Sequence, residues 1–163
     1  MNKMKHLLVV GGSGLVGYNV AKYFTEKTDW KVTTVSRRRP SHLDEATHIS
    51  IDLCDELLCA NTFSQLKDVT HIVYAAYYEK AGTKGWKEPE QMEINKIMLQ
   101  NVLSPIFDAS NFIEHVTLIQ GTKAYGDPLA IIPIPAKEKS PRAAHEIFYW
   151  LQEDWLKSQQ LGK

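Results

Sequence analysis

The chain has only two cysteines among its 163 residues, Cys54 and Cys59, with no second pair to accompany them. That excludes a disulfide framework and a zinc knuckle, and it suits a reducing, cytoplasmic setting. An excess of one charge is also missing, because 19 Lys and Arg balance 19 Asp and Glu. No net field therefore draws the chain to nucleic acid or to an anionic membrane. No apolar run reaches the length of a membrane span, and the stretch from Leu7 to Val10 is too brief for a signal-peptide core. No repeat of fixed period recurs, and His42, His48, His71, His115 and His145 have no ligand-type spacing, so no metal site is expected. With 44% apolar residues the length fits one globular domain. Its partners are expected among small molecules, and the oligomeric state is open, a homodimer included.

What is present is an alternation of strands and helices. His6-Leu7-Leu8-Val9-Val10 is apolar at consecutive positions, as a strand covered on both faces reads. A glycine-rich turn follows, then a helical pattern through Leu15, Val16, Val20, Ala21, Tyr23 and Phe24. Residues 31–36 return as a β-branched strand, completing a right-handed βαβ unit. Further strands are read at 48–51, 70–75 and 115–120, a short helix at 56–66, and a major helix at 88–112 that Pro105 should bend or end. The last helix is read at 143–160. Prolines 128, 133, 135 and 141 keep the stretch before it irregular, and a loop of that length usually has a task. The pattern predicts an α/β doubly wound parallel sheet of the Rossmann type. The chain stops at Lys163, where a sixth parallel strand is expected, so residues 1–163 read as the nucleotide-binding domain of a longer chain that lacks its C-terminal substrate-binding part.

Gly11-Gly12-Ser13-Gly14-Leu15-Val16-Gly17 carries the spacing G-x-x-G-x-x-G between a strand and a helix. Gly11, Gly14 and Gly17 answer three demands: a tight turn, close backbone approach to a pyrophosphate, and close helix-on-strand packing. The helix N-terminus offers unpaired N–H groups and a positive dipole end to the phosphates, which makes Ser13, Leu15 and Val16 part of the candidate site. The tip of the second strand selects the cofactor. An acid there grips a ribose hydroxyl, whereas this chain has Arg37 and Arg38, whose planar forks suit a 2′-phosphate, with Arg39 before Pro40 as the weaker third. NADP(H) is the cofactor this predicts. Asp52 and Leu53, after the third strand, stand where the adenine would be contacted, and Ala75 and Ala76, after the fourth, are small enough for close approach of the cofactor.

A Tyr-x-x-x-Lys motif is absent: Tyr149 is followed four residues on by Glu153, and Tyr125 by Leu129. In its place stand Gln120-Gly121-Thr122-Lys123-Ala124-Tyr125-Gly126 and Ile147-Phe148-Tyr149-Trp150-Leu151-Gln152-Glu153-Asp154. These segments resemble the progesterone 5β-reductase and iridoid synthase-like branch of the extended short-chain dehydrogenases, in the epimerase/dehydratase superfamily. The resemblance extends to Gly11 through Gly17, Arg37-Arg38, Asp52, the 69–74 strand and the 95–103 helix. It implies that Tyr149 and Lys123 are catalytic, with Lys123 also orienting the nicotinamide ribose. The implied reaction is hydride transfer from NADPH to the β-carbon of an α,β-unsaturated carbonyl, a small-molecule enone or enal. Family members continue well past the point where this chain stops, so the 163-residue form by itself is expected to be inactive.

Two other functions compete with this one. A sugar-nucleotide epimerase or dehydratase would share the glycine turn and Asn95, but should show Tyr-x-x-x-Lys and an acidic cofactor selector, and both are absent. A non-catalytic NADP-binding sensor would bind NADPH without turnover. Glu153 and Asp154 read as a solvated or salt-bridged helix face rather than acid/base machinery.

Overall fold

A computed structural model describes residues 4–27, 29–80, 88–110, 112–126 and 131–160. Among the described residues five strands and four helices follow in the order β1 (Lys5–Val10), α1 (Leu15–Thr25), β2 (Trp30–Ser36), β3 (Thr47–Ser50), α2 (Glu56–Phe63), β4 (His71–Tyr74), α3 (Pro89–Ala109), β5 (His115–Leu118) and α4 (Phe148–Ser158), with a 3-10 turn, Thr122–Tyr125, after β5. The strands form one parallel sheet in the order β3-β2-β1-β4-β5. This is the doubly wound Rossmann arrangement that the alternation of elements predicts. The chain winds outward from β1 in one direction through β2 and β3, then in the other through β4 and β5. The reversal point is therefore the crevice between β1 and β4, where such sheets bind ligands at the carboxyl ends of their strands.

The chain divides into two compact units. The first comprises residues 1–77 and 97–119 and contains the whole sheet. Leu8, Val9 and Val10 are fully buried in β1, which is why that strand lacks alternation. Leu7, Val9, Ala21, Val32, Leu43 and Ala46 form a core beneath α1, with Phe24 and Trp30 packed against it. The second unit comprises residues 78–96 and 120–163. It is organised around Met92, Ile147 and Phe148, with Tyr149, Trp150 and Leu151 packed against them.

One element departs from the sequence expectation and another follows it. The major helix read at 88–112 is α3, which Pro105 does not end, since it runs on to Ala109. Leu99, Val102, Leu103 and Ile106 are all fully buried around it. At about 1.5–3 kcal/mol for each such side chain, that burial outweighs the cost of about 3 kcal/mol for an interior proline. The last helix begins at Phe148 rather than at residue 143. Arg142 reaches Asp154 with Nη1–Oδ2 at 3.0 Å and Nη2–Oδ1 at 2.6 Å. Twelve residues of continuous helix would hold the two about 18 Å apart, so the chain is instead extended at Ile147 (φ −154°, ψ 146°) and doubles back. Arg142 also lies over the Trp150 ring at 4.8 Å, and Trp150 Nε1 donates to the carbonyl of His145 at 3.1 Å. Glu153 joins the same ion-pair cluster, 3.2 Å from Arg142 and bonded to Lys157.

Residues 131–147 form no regular helix or strand. Residues 127–130 of the proline-rich stretch and 161–163 at the chain end lie outside the described residues. No helix among the described residues is long and apolar enough to cross a membrane.

Candidate functional site

In the first unit, every candidate residue follows the carboxyl end of a strand. The glycine turn leaves β1 with Gly11 at φ +91°. The amides of Gly11 and Gly12 both donate to the Val35 carbonyl, at 2.8 and 3.1 Å. A Cβ on Gly11 would lie 2.7 Å from the Ala75 carbonyl carbon and 2.8 Å from the Ala76 nitrogen. The turn and the segment after β4 thus meet backbone to backbone. A Cβ on Gly17 would come within 2.3 Å of the Gly11 carbonyl oxygen, so the first turn of α1 packs directly on the turn that precedes it. Thr34, which sequence reasoning did not single out, closes the other side: a Cβ on Gly12 would lie 2.7 Å from its Cβ.

Gly14 caps α1 with extended backbone (φ −84°, ψ 165°), makes no side-chain cap, and no acidic residue occupies the first helical turn. The first amides of a helix have no intrahelical carbonyl. Here no carboxylate competes for them, and Ser13, Leu15 and Val16 are exposed around them. A turn stripped of side chains at the start of an uncapped helix fits a dinucleotide diphosphate.

Arg37 and Arg38 are exposed immediately after β2. Their backbone is pinned by two hydroxyls: Ser50 Oγ donates to the Arg37 carbonyl at 2.9 Å and Ser36 Oγ to the Arg38 carbonyl at 2.7 Å. Asp52 is exposed after β3, and its Oδ1 accepts the Cys54 N–H at 3.0 Å. Leu53 is buried, and its carbonyl accepts from Asn101 Nδ2 at 2.9 Å, a link from α3 that no sequence motif announced. Burial, then the Asp52 charge, push the Cys54 thiol above its ordinary range, with Arg37 opposing, so this cysteine is no thiolate nucleophile at neutral pH.

In the second unit, Gly121 caps the 3-10 turn that carries Lys123, and Gly126 ends it in the left-handed region at φ 108°. Lys123 is partly buried. Tyr149 is the second residue of α4. A Cβ on Gly121 would lie 3.1 Å from Tyr149 Oη, so the hydroxyl sits against the Gly121 backbone. Burial pushes the Tyr149 phenol above its ordinary range, and the Gly121 backbone only partly opposes this. The structure therefore brings the Tyr149 hydroxyl onto the turn that bears Lys123. Gly121 and the buried Gln152 are the residues of this unit that sequence reasoning passed over. The signal was present for Gln152, a polar side chain three positions from Tyr149 on the inward side of a helix.

Residues 7–149 match the model of the NAD dependent epimerase/dehydratase family. The chain belongs to that family. Among relatives within it, the chain is 36% identical over 161 residues to the (S)-8-oxocitronellyl enol synthase ISY1 of Nepeta racemosa, covering 91% of this chain and 40% of that protein. It is 34% identical over 162 residues to the 3-oxo-Delta(4,5)-steroid 5-beta-reductase of Arabidopsis thaliana, with the same two coverages, 91% and 40%. The resemblance drawn from the segments around Lys123 and Tyr149 leads to the same relatives. The chain thus spans about two fifths of the length of the curated relatives it matches. Among solved structures, UDP-glucose 4-epimerase from Bifidobacterium longum, in complex with NAD+ and UDP, superposes with a TM-score of 0.76 over 98% of this chain and 50% of that one. At 18% identity that likeness speaks for the fold alone.

Proposed function

We propose that this family member is an NADPH-dependent reductase of α,β-unsaturated carbonyl compounds. Residues 1–163 serve as its nucleotide-binding domain. The observation that carries this reading is the Tyr149 hydroxyl seated against Gly121, at the head of the turn that bears Lys123, in a chain whose relatives are named for enol synthesis and for reduction of a Δ4,5 3-oxo steroid.

The amides at the start of α1 and the bare backbone of Gly11 to Gly17 hold the diphosphate, while Arg37 and Arg38 take the 2′-phosphate by charge-assisted hydrogen bonds. Asp52 and Leu53 border the adenine, and Ala75 and Ala76 the central part of the cofactor. When bound, NADPH supplies a hydride for the β-carbon of the substrate. Charge then develops on the substrate carbonyl oxygen as an enolate, and a donor is needed there. Tyr149 is suited to that role because a phenol is protonated at neutral pH, and burial pushes its pKa higher still. Lys123 orients the ribose and adds positive potential.

The test is oxidation of NADPH by the complete gene product against a panel of enones and enals, beside Tyr149→Phe and Lys123→Ala. Loss of a positioned acid should lower turnover by about 100-fold or more in Tyr149→Phe. Parent-like rates in both variants would refute the assigned roles while leaving the fold untouched.

A further inference from the structure

Gln152 stands three residues after Tyr149 on α4, so the two share one side of the helix. It is 1% exposed. Burying a primary amide is unfavourable unless it is hydrogen-bonded, and for packing alone an apolar side chain of the same length would serve better. The amide is satisfied in one direction: Nε2 donates to the backbone carbonyl of Asn95, in the first half of α3, at 2.8 Å.

That carbonyl belongs to a rigid point. Asn95 is fully buried, its Oδ1 accepts the Tyr78 N–H at 2.8 Å, and its Nδ2 donates to the carbonyls of Tyr78 and Gln91, both at 2.9 Å. Gln91, also 1% exposed, accepts the Lys80 N–H on Oε1 at 2.8 Å. Three uncharged, buried amides thus tie α4, the first half of α3 and residues 78–80 together. The apolar contacts among Met92, Ile147 and Phe148 are non-directional and would tolerate rotation of α4 about its axis. A hydrogen bond between fixed atoms does not, because it weakens steeply with angle.

We infer that Gln152 is a positioning residue, whose bond to the Asn95 carbonyl sets the rotation of α4 and thereby places Tyr149 Oη against Gly121. The consequence for rate rests on the role proposed above for Tyr149; the positioning rests on the geometry of this unit alone. Gln152→Met keeps the length of the side chain and removes the donor. In the complete gene product this variant should bind NADPH within about twofold of the parent. The 13Cζ resonance of Tyr149, which reports hydrogen bonding at Oη, should move. Turnover should fall by about 10- to 100-fold with little change in KM, as expected of a misplaced catalytic group. A shifted resonance with unchanged turnover would uphold the positioning and sink the catalytic reading of Tyr149. An unmoved resonance overturns the inference. Should the variant not fold, the parent protein decides by exchange of the Gln152 side-chain amide hydrogens. Strong protection is expected, and exchange at the rate of a free amide overturns the proposal.

Discussion

The hydroxyl of Tyr149 lies 3.1 Å from the position that a Cβ on Gly121 would take, a tighter approach than an ordinary contact. Gly121 itself is extended, with φ −114° and ψ −175°, a conformation open to any residue. The backbone therefore does not require glycine, whereas the tyrosine oxygen leaves little room for a methyl group. Gly121→Ala should leave unfolding free energy within about 1 kcal/mol of the parent while pushing Oη back by a few tenths of an ångström. If Tyr149 donates to the developing enolate, turnover should drop by about tenfold with NADPH affinity unchanged. Equal turnover in the two proteins would show that the close contact has no part in the chemistry.

Gly17 presents the opposite case, in which the backbone is the obstacle. Its added Cβ would lie 2.3 Å from the Gly11 carbonyl oxygen and 2.8 Å from the Gly11 carbonyl carbon. No rotamer change relieves a clash with main chain, so α1 must lift from the end of β1. Gly17→Ala should cost about 1–3 kcal/mol of stability and abolish cofactor binding. Urea unfolding and NADPH titration measure both effects. A variant of parent stability that binds NADPH normally would contradict the packing described for this turn.

The β1–turn–α1 unit was legible because its signals are local: an apolar run, glycines at fixed offsets, then a helical period. The parallel, doubly wound sheet follows from the succession of strands and helices. Three features were not legible, and in each the deciding partner lies far along the chain. Arg142 fixes the start of α4 through Asp154, so the helix-forming Ala143 and Ala144 lose to a distant ion pair. Gln152 meets Asn95 across 57 residues of sequence. The same holds for Gly121, whose place in its segment was visible while its contact with a tyrosine 28 positions later was not.

His6 gives the fold a pH dependence on the mildly acid side. It is 2% exposed, its Nδ1 lies 3.0 Å from Asp68 Oδ1, and its Nε2 lies 2.8 Å from Thr33 Oγ1. Burial is the largest influence and pushes its pKa down; Asp68 partly opposes this and Lys31 reinforces it. The unfolded chain therefore takes up a proton more readily than the fold does, and stability decreases as pH falls below about 6.5. Burial lowers His48 and His71 in the same direction, so they add to this window. For Asp68, burial pushes the carboxyl up, but hydrogen bonds from Lys31 and His6 prevail and hold it below its ordinary value. Its contribution is present above about pH 4 and is lost as pH falls further. Urea midpoints measured from pH 7.5 to 3 should fall in these two stages. Asp68→Asn should steepen the upper stage, because His6 loses the carboxylate that favours its charged form. An unaltered upper slope in that variant would exclude the coupling.

Arg37 and Arg38 test the choice of cofactor apart from catalysis. Both side chains are exposed, and the hydroxyls of Ser36 and Ser50 fix only the backbone carbonyls beneath them. Removing the guanidinium groups should therefore leave the sheet and the glycine turn undisturbed. Hydrogen bonds to a charged group contribute about 1.5–3 kcal/mol each, so Arg37→Ala with Arg38→Ala should weaken NADPH binding by at least about tenfold. NADH lacks the 2′-phosphate and should bind as it does to the parent. The ratio of the two affinities is the informative quantity, because a general loss of structure would weaken both cofactors together. If the parent holds NADH as tightly as NADPH, or if the double substitution leaves their ratio where it was, the arginines do not read the 2′-phosphate.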